Sequence, residues 1–449
     1  MKINSSSQIH LVYSAKQKSY LFAGFMGLLI FLLAALQLIS ISPFWLIISL
    51  GLISASVILF SKELYLKQPD GIKNNAVWFE GISSRKYAAW ILAIVLTAFY
   101  CLLYWWPHYL GYSEAGNSGL IALFDPLSYL LKNQAASQWF VYGVLYTLAI
   151  FLFGIKFIWK YRHNKYQVVR TLSVMFFQTG FAFLLPEFLL RMNLPYNDFK
   201  NMWPLNYYFF DGWHINEMIA HGNIGWLMLL FGVLLIVLIS PVLTYLYGKR
   251  WYCSWVCGCG GLAETAGDSF RHLSDKSLRA WKIERVMVYA VLLFAIVMTA
   301  AVLYSYKTGQ ANLFGISTAS MRSAYGFLIG SIFSGVIGVG FYPLMGTRVW
   351  CRFGCPMAAI LGIQQRLFSR FRITTNGGQC ISCGNCSTYC EMGIDVRSYA
   401  QKGQNIVRAS CVGCGICAAV CPRGVLKLEN GSVDITERTM IFYNERIKK

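Results

Sequence analysis

The chain has 449 residues, of which 56% are hydrophobic and 13% charged, at a mean hydropathy of +0.49; this excludes a string of soluble domains, intrinsic disorder, a collagen-like fibre and a small secreted scaffold. Its 39 Lys and Arg against 19 Asp and Glu leave a net charge of +20, which in so apolar a chain speaks of orientation and anionic lipid, and not of nucleic acid. Thirteen of its 14 cysteines fall between Cys253 and Cys421 in tight groups, a ligand spacing and not a disulfide framework.

The first apolar run is too long for a signal-peptide core and a second follows at once, so no cleaved leader is expected. From Ser19 to Ser61 no side chain is charged, enough to cross a hydrocarbon core of about 30 Å twice, with Ser40-Ile41-Ser42-Pro43 as the turn. This places helices near 20–39 and 43–60, and further runs give spans near 87–106, 139–158, 171–190, 220–247, 286–306 and 323–346. Eight spans put both termini on one side. With the N-terminus inside, 33 of the 39 basic residues fall on inner segments, and only Lys132, Arg191, Lys200, Lys307 and Arg322 fall outside, with Lys156 at the inner end of its helix. The expectation is a multi-pass protein of the bacterial cytoplasmic (inner) membrane, both termini cytoplasmic, with its cysteine groups in a reducing compartment.

Cys380, Cys383, Cys386 and Cys390 form C-x2-C-x2-C-x3-C, and Cys411, Cys414, Cys417 and Cys421 repeat it 31 residues later, followed by Pro422. Tandem runs of this kind specify a bacterial-type two-cluster ferredoxin, in which three thiolates on one loop hold three irons and the fourth ligand comes from the other run. Cys380, Cys383, Cys386 and Cys421 are therefore expected to hold one 4Fe-4S cluster, and Cys411, Cys414, Cys417 and Cys390 the other. Gly384, Gly413 and Gly415 let the backbone close around the sulfurs. Paired zinc knuckles have no use for the third and fourth cysteines at these offsets. Glu391 stands where many ferredoxins have a proline.

A second repeat lies upstream. Gly248, Arg250, Tyr252, Cys253, Trp255 and Cys257 are matched 98 residues later by Gly346, Arg348, Trp350, Cys351, Phe353 and Cys355, each set directly after an outside-to-inside span, as in duplicated membrane units. If the copies pack side by side, Cys253, Cys257, Cys351 and Cys355 offer four thiolates to a further cluster or another metal. The alternative is a pair of capped helix ends with inert or redox-active thiols. Cys259 is an extra thiol beside Cys257, and Cys101 reads as a packing thiol inside the third span.

On Cys253/Cys257, Cys351/Cys355-Pro356 and the two ferredoxin runs, residues 220–430 resemble the polytopic ferredoxin-type membrane proteins that include the NapH subunit of periplasmic nitrate reductase systems, the NosR electron donor and the CcoG-type oxidase assembly proteins. The resemblance implies electron transfer between a quinone pool or cytoplasmic donor and a redox partner protein; an assembly or maintenance factor that reduces a metal ion or thiol for a respiratory enzyme is the alternative. The chain departs from the NosR pattern in lacking a large outer flavin domain, and from the CcoG pattern in its eight spans and short tail.

His214, Glu217 and His221 are spaced i, i+3, i+7, one helical face at the outer end of the sixth span, where they could hold a metal or take protons from a quinol; interfacial polar residues are the plainer reading. Intrinsic haem is not expected, since the inner-side histidines His10, His163 and His272 lie in loops or a terminus. Tyr104, Trp105, Trp106, Trp139, Trp203, Tyr207 and Tyr208 fit an outer aromatic belt, and Arg366, Arg370 and Arg372 fit anionic headgroups or an acidic partner. The expected fold is membrane all-α: eight transmembrane helices, about five within 1–219, the duplicated units in 220–372, a C-terminal cytoplasmic two-cluster module in 373–430 and a tail in 431–449. Enzymatic activity of the chain on its own is left open.

Overall fold

The structure is a computed structural model that describes residues 14–67, 87–313 and 315–431. Eight helices long and apolar enough to cross a membrane run over Ala15–Ala35 (α1), Pro43–Leu66 (α2), Tyr87–Trp105 (α3), Gln138–Lys160 (α4), Lys165–Arg191 (α5), Gly222–Tyr247 (α6), Leu278–Thr308 (α7) and Thr318–Gly340 (α8). Several start before their apolar runs because a capping side chain sets the start. Ser14 accepts from the Gln17 N–H at 3.2 Å while Gln17 reaches back to Ser14 at 3.0 Å, a reciprocal cap that draws Lys16 and Lys18 into α1. Asn164 and Ser277 cap α5 and α7 by accepting from the Gln167 and Ala280 N–H groups, so α7 opens with two amphipathic turns carrying Arg279, Lys282 and Arg285.

α1 and α2 form a close hairpin. A Cβ at Gly24 would lie 2.5 Å from Ser56 Oγ, and Ser49 Oγ donates to Gly27 O at 2.7 Å; small residues let the backbones approach, and the hydroxyl finds its acceptor across the gap. In α5 and α6 the turns just before Pro186 and Pro241 widen to π spacing, as expected where a proline removes a backbone donor. Of the basic residues expected on the far face, Lys132 pairs with Glu187 at 3.3 Å, Arg322 with Asp211 at 2.7 Å, and Arg191 donates to Leu130 O at 2.7 Å.

After α8 the chain turns through Trp350–Gly354 into the Pro356–Phe368 helix. Two antiparallel strands, Phe371–Thr375 and Leu426–Asn430, then close the cysteine-rich module, with Phe371 opposite Asn430. The module is rooted where the Arg370 N–H donates to Tyr245 O at the end of α6 and Arg370 O accepts from Gly431, both at 2.8 Å. The largest packed cluster joins the ends of the helices to this module.

Candidate metal centre

The two ferredoxin runs fold alike. Gly384 and Gly415 adopt left-handed conformations, at φ +80° and +74°, and each opens a one-turn helix, Asn385–Thr388 and Ile416–Ala419, a backbone state that costs glycine nothing. The turns bring the third cysteines, Cys386 and Cys417, back over the loop. Cys380, Cys383, Cys386 and Cys421 line one cavity, and Cys390, Cys411, Cys414 and Cys417 line a second. Each cavity thus takes three sulfurs from one run and the last from the other. Backbone N–H groups point at the sulfurs: Ile394 N lies 3.4 Å from Cys390 Sγ, and the N–H groups of Ser387, Gly413 and Ile416 reach Cys386, Cys411 and Cys414. Four thiols, a dry wall of Ile394, Val396, Ile406 and Val412 at the second cavity, and amides directed at sulfur suit an iron-sulfur cluster. Cys383 is exposed, whereas Cys411 and Cys417 are buried, so the first cavity faces outward and the second faces the helices.

The C-x3-C copies are also alike in three dimensions. Gly248 and Gly346 both take positive φ, +65° and +87°, with extended ψ. The Cys257 N–H donates to Tyr252 O at 2.8 Å and the Cys355 N–H to Trp350 O at 3.0 Å. Each second cysteine then precedes a helix, Gly258–Thr265 or Pro356–Phe368. Cys253, Cys257, Cys351 and Cys355 are all buried in one cluster with Cys386, Cys411 and Cys417, and Cys355 lies within the electrostatic reach of the other three. Burial pushes the Cys253 thiol up to about 12. Cys257 moves the other way: a hydrogen bond from Cys259 pulls it down, against burial, with the Lys200 ammonium adding to the effect. Cys259, an extra thiol by sequence, is thus a partner of Cys257.

The second cavity is fastened to the helices by side chains reaching its loop. Ser254 Oγ donates to Val412 O, Tyr166 Oη to Gly413 O, Gln167 Nε2 to Cys414 O, and Gln365 Nε2 to Cys411 O, at 2.8, 2.9, 2.8 and 2.9 Å. Behind them lies a buried ionic network. Arg348 Nη2 meets Glu264 Oε1 at 2.6 Å and Glu391 Oε1 at 2.9 Å, and its Nη1 is 3.6 Å from Cys351 Sγ. Arg170 pairs with the other oxygen of Glu264. Arg271 meets Asp268 at 2.9 Å and Glu391 at 3.8 Å, and Lys160 meets Asp268 at 2.5 Å. Burial raises the Glu391 pKa, but Arg348 and Arg271 outweigh it and hold the carboxyl below its ordinary range. The departure from proline at this position therefore supplies the carboxylate that ties the module to Arg348. One ligand-capable atom from each of Glu264, Glu391 and Cys414 lies within 4.8 Å of the others, which puts the network against the second cavity.

Three expectations are corrected. Lys200 is not free on a surface: its Nζ donates to Gln178 Oε1 at 3.3 Å, midway along α5, and Lys200 O accepts from Tyr252 Oη at 2.9 Å. Met202 joins the packed cluster that holds Cys257. A charge count along the sequence sees the loop but not its path. The group His214, Glu217 and His221 does not converge. His214 is buried, with Nδ1 3.1 Å from Phe209 O; Glu217 and His221 are exposed; and the Gly212–Ala220 helix that carries the first two stops at His221, because Gly222 turns left-handed before α6. Tyr104, read as part of a belt, instead heads an inward column: its ring lies 5.4 Å from Trp139 and 6.0 Å from Tyr100, followed by Tyr142 at 6.0 Å and Tyr146 at a further 5.3 Å. A Cβ at Gly258, beside Cys257, would sit 3.4 Å from Tyr146.

Sequence reading missed Arg170, Glu264, Asp268, Arg271 and Lys160 as parts of the centre. The available signal was the three acids Glu264, Asp268 and Glu391, set in segments otherwise rich in Lys and Arg.

Comparison with known proteins agrees with this geometry. A family described as a 4Fe-4S dicluster domain matches residues 379–426, and one described as a 4Fe-4S binding domain matches twice, over 229–279 and 327–374, each copy holding one C-x3-C. The chain is 25% identical over 185 residues to the putative electron transport protein YccM of Escherichia coli, covering 37% of this chain and 48% of that one. It is 27% identical over 148 residues to the methylamine utilization ferredoxin-type protein MauN of Methylobacillus flagellatus, covering 32% and 50%. The chain thus spans about half the length of the curated relatives it matches. No solved structure matches it.

Proposed function

We propose that the chain, similar over its iron-sulfur segments to ferredoxin-type electron transport proteins, carries electrons at a membrane, holding one 4Fe-4S cluster on Cys380, Cys383, Cys386 and Cys421 and a second on Cys411, Cys414, Cys417 and Cys390. The observation that supports this best is the crossed sharing of cysteines between two cavities. Bound there, the clusters supply one-electron chemistry. The protein decides where that chemistry occurs. Exposed Cys383 and Ile381 open the first site to a redox partner, while Ser254, Tyr166, Gln167 and Gln365 hold the second against the helices. Cys253, Cys257, Cys351 and Cys355 form a further metal centre in line with it, next to the buried cations Lys249 and Arg348 and the half-buried Lys200, which offset the charge of gathered thiolates. The distribution of 33 of 39 basic residues supports the reading that this face lies in the cytoplasm of a bacterium, where a quinone pool or a cytoplasmic protein supplies the electrons.

The test is iron and acid-labile sulfide per chain on anaerobically purified protein, with low-temperature EPR after graded reduction, beside a variant with Cys253, Cys257, Cys351 and Cys355 all changed to Ser. About eight irons from the ferredoxin runs are expected in both, and the intact chain should add iron and a paramagnetic species that the variant loses. Equal iron in both removes the further centre from the proposal. No iron in properly folded protein defeats the whole of it.

A further inference from the structure

Between the first turns of α7, the Pro356–Phe368 helix and the loop 407–410 lies a cleft of about 530 Å³. Five basic residues line it, Lys249, Arg285, Arg352, Arg366 and Arg408, against one carboxylate, Glu284. That carboxylate is already engaged by Arg352 Nε at 3.2 Å and by the Ser410 hydroxyl. Lys249 is 1% exposed and its ammonium has no carboxylate partner among the described residues. Arg352 is 3% exposed, and its Nη2, like Nε and Nη2 of Arg408, is buried without an acceptor. The guanidinium groups of Arg408 and Arg285 both lie over the Trp281 ring, at 4.6 and 5.0 Å, so the indole fixes them as a pair.

A buried donor left unsatisfied is costly, and more so when it is charged. Three such atoms, Arg352 Nη2 and Arg408 Nε and Nη2, on residues that line one cleft ask for an anion with several acceptor oxygens. The charge of thiolates at Cys351, on the cleft wall, accounts for Lys249 at most, because Arg408 and Arg285 are held on Trp281. The opposite wall is apolar, with Val286, Val288, Ala358 and Ala359, and it continues onto an exposed apolar stretch of α7 through Val286 and Leu293, 72% and 62% exposed. We infer that this cleft binds a phosphate group, brought either as the headgroup of an anionic phospholipid, whose chains would lie along α7, or by a free phosphorylated molecule. Bound there, the phosphate links α7 to the module loop through Arg408. The inference holds whether or not the C-x3-C thiols carry metal.

The experiment is native mass spectrometry of the full-length, cluster-loaded chain, delipidated in neutral detergent and titrated with phosphatidylglycerol, with phosphatidylcholine of the same chains, or with inorganic pyrophosphate. The variants are Arg408→Gln and the safer Arg285→Gln, whose side chain is exposed, with Arg370→Gln outside the cleft as control and iron content as the check on folding. We expect the first phosphatidylglycerol to bind about tenfold more weakly in either cleft variant, equal to about 1.4 kcal/mol, and normally in the control. Variant sensitivity confined to phosphatidylglycerol assigns the lipid; the same sensitivity with pyrophosphate, which then displaces the lipid, assigns a soluble phosphate. Equal binding of both probes by wild type and by both cleft variants overturns the site.

Discussion

Replacing Glu391 by Gln removes one of three carboxylates, with Glu264 and Asp268, that balance four buried cations, Lys160, Arg170, Arg271 and Arg348. Breaking a buried pair from one side costs about 3–5 kcal/mol, because the remaining charge stays buried. Here Arg348 keeps Glu264 at 2.6 Å and Arg271 keeps Asp268 at 2.9 Å, so the lower end, about 3 kcal/mol, is expected. That corresponds to a rise of about a hundredfold in the undocked population of the module. Hydrogen exchange of the holo protein reads it directly, as lost protection at residues 411–414 with protection within α1 and α2 unchanged. Arg348→Met should have a similar effect, and the double variant should cost clearly less than the sum, by at least about 1 kcal/mol, since the two residues share one contact. Additive costs, or unchanged protection in Glu391→Gln, would refute the idea that this carboxylate fastens the module.

Further outcomes follow from the same geometry. Cys383→Ser should halve the iron of the ferredoxin runs to about four per chain and leave the second site loaded, as read by iron analysis and EPR. Gly248→Ala should destabilise the chain by at least about 1 kcal/mol, because φ is +65° and the new Cβ would fall 2.5 Å from Gln365 Oε1; thermal unfolding in detergent is the check. Lys200→Met removes a cation near Cys257, so the potential of a centre on the C-x3-C thiols should fall on the order of 60 mV, the one-electron equivalent of a tenfold change, while redox titration finds the ferredoxin signals unmoved. Asp268 is pushed up by burial but held below the ordinary carboxylate range by Lys160 and Arg271. Its folded pKa is thus lower than its unfolded one, so its stabilisation is full above about pH 4 and is lost only as pH falls further, through the folded value. The gap in melting temperature between wild type and Asp268→Asn should therefore be constant from pH 8 down to 5; a gap that closes by pH 6 would contradict this sign.

The eight helices were legible because apolar length is a one-dimensional property, and each run overlaps one span, although the runs 20–39, 87–106, 220–247 and 323–346 extend past Ala35, Trp105, Gly222 and Gly340. Their starts were not, since Ser14, Asn164 and Ser277 begin helices in polar sequence through a single side-chain oxygen. The ferredoxin cysteines were legible because the spacing is itself the ligand geometry. The docking network was not: Arg348 and Glu391 are 43 positions apart and Arg170 and Glu264 are 94 apart, and nothing local distinguishes a buried arginine from one that marks orientation. Lys200 shows the same limit in reverse, a loop residue by composition whose neighbours are Gln178 and Tyr252.

The strand pair that meets at Arg370 and Gly431 has an architectural consequence. Both ends of the module leave from one point beside Tyr245, so residues 371–430 form a cassette hung on the helices and never threaded through them. Closing a loop at its base costs only about 0.6 kcal/mol more for each doubling of its length. A longer cassette, or an unrelated redox fold whose ends lie equally close, could hang from the same root without rerouting a single helix. What such a replacement would have to reproduce is not the path of the chain but the acid that meets Arg348.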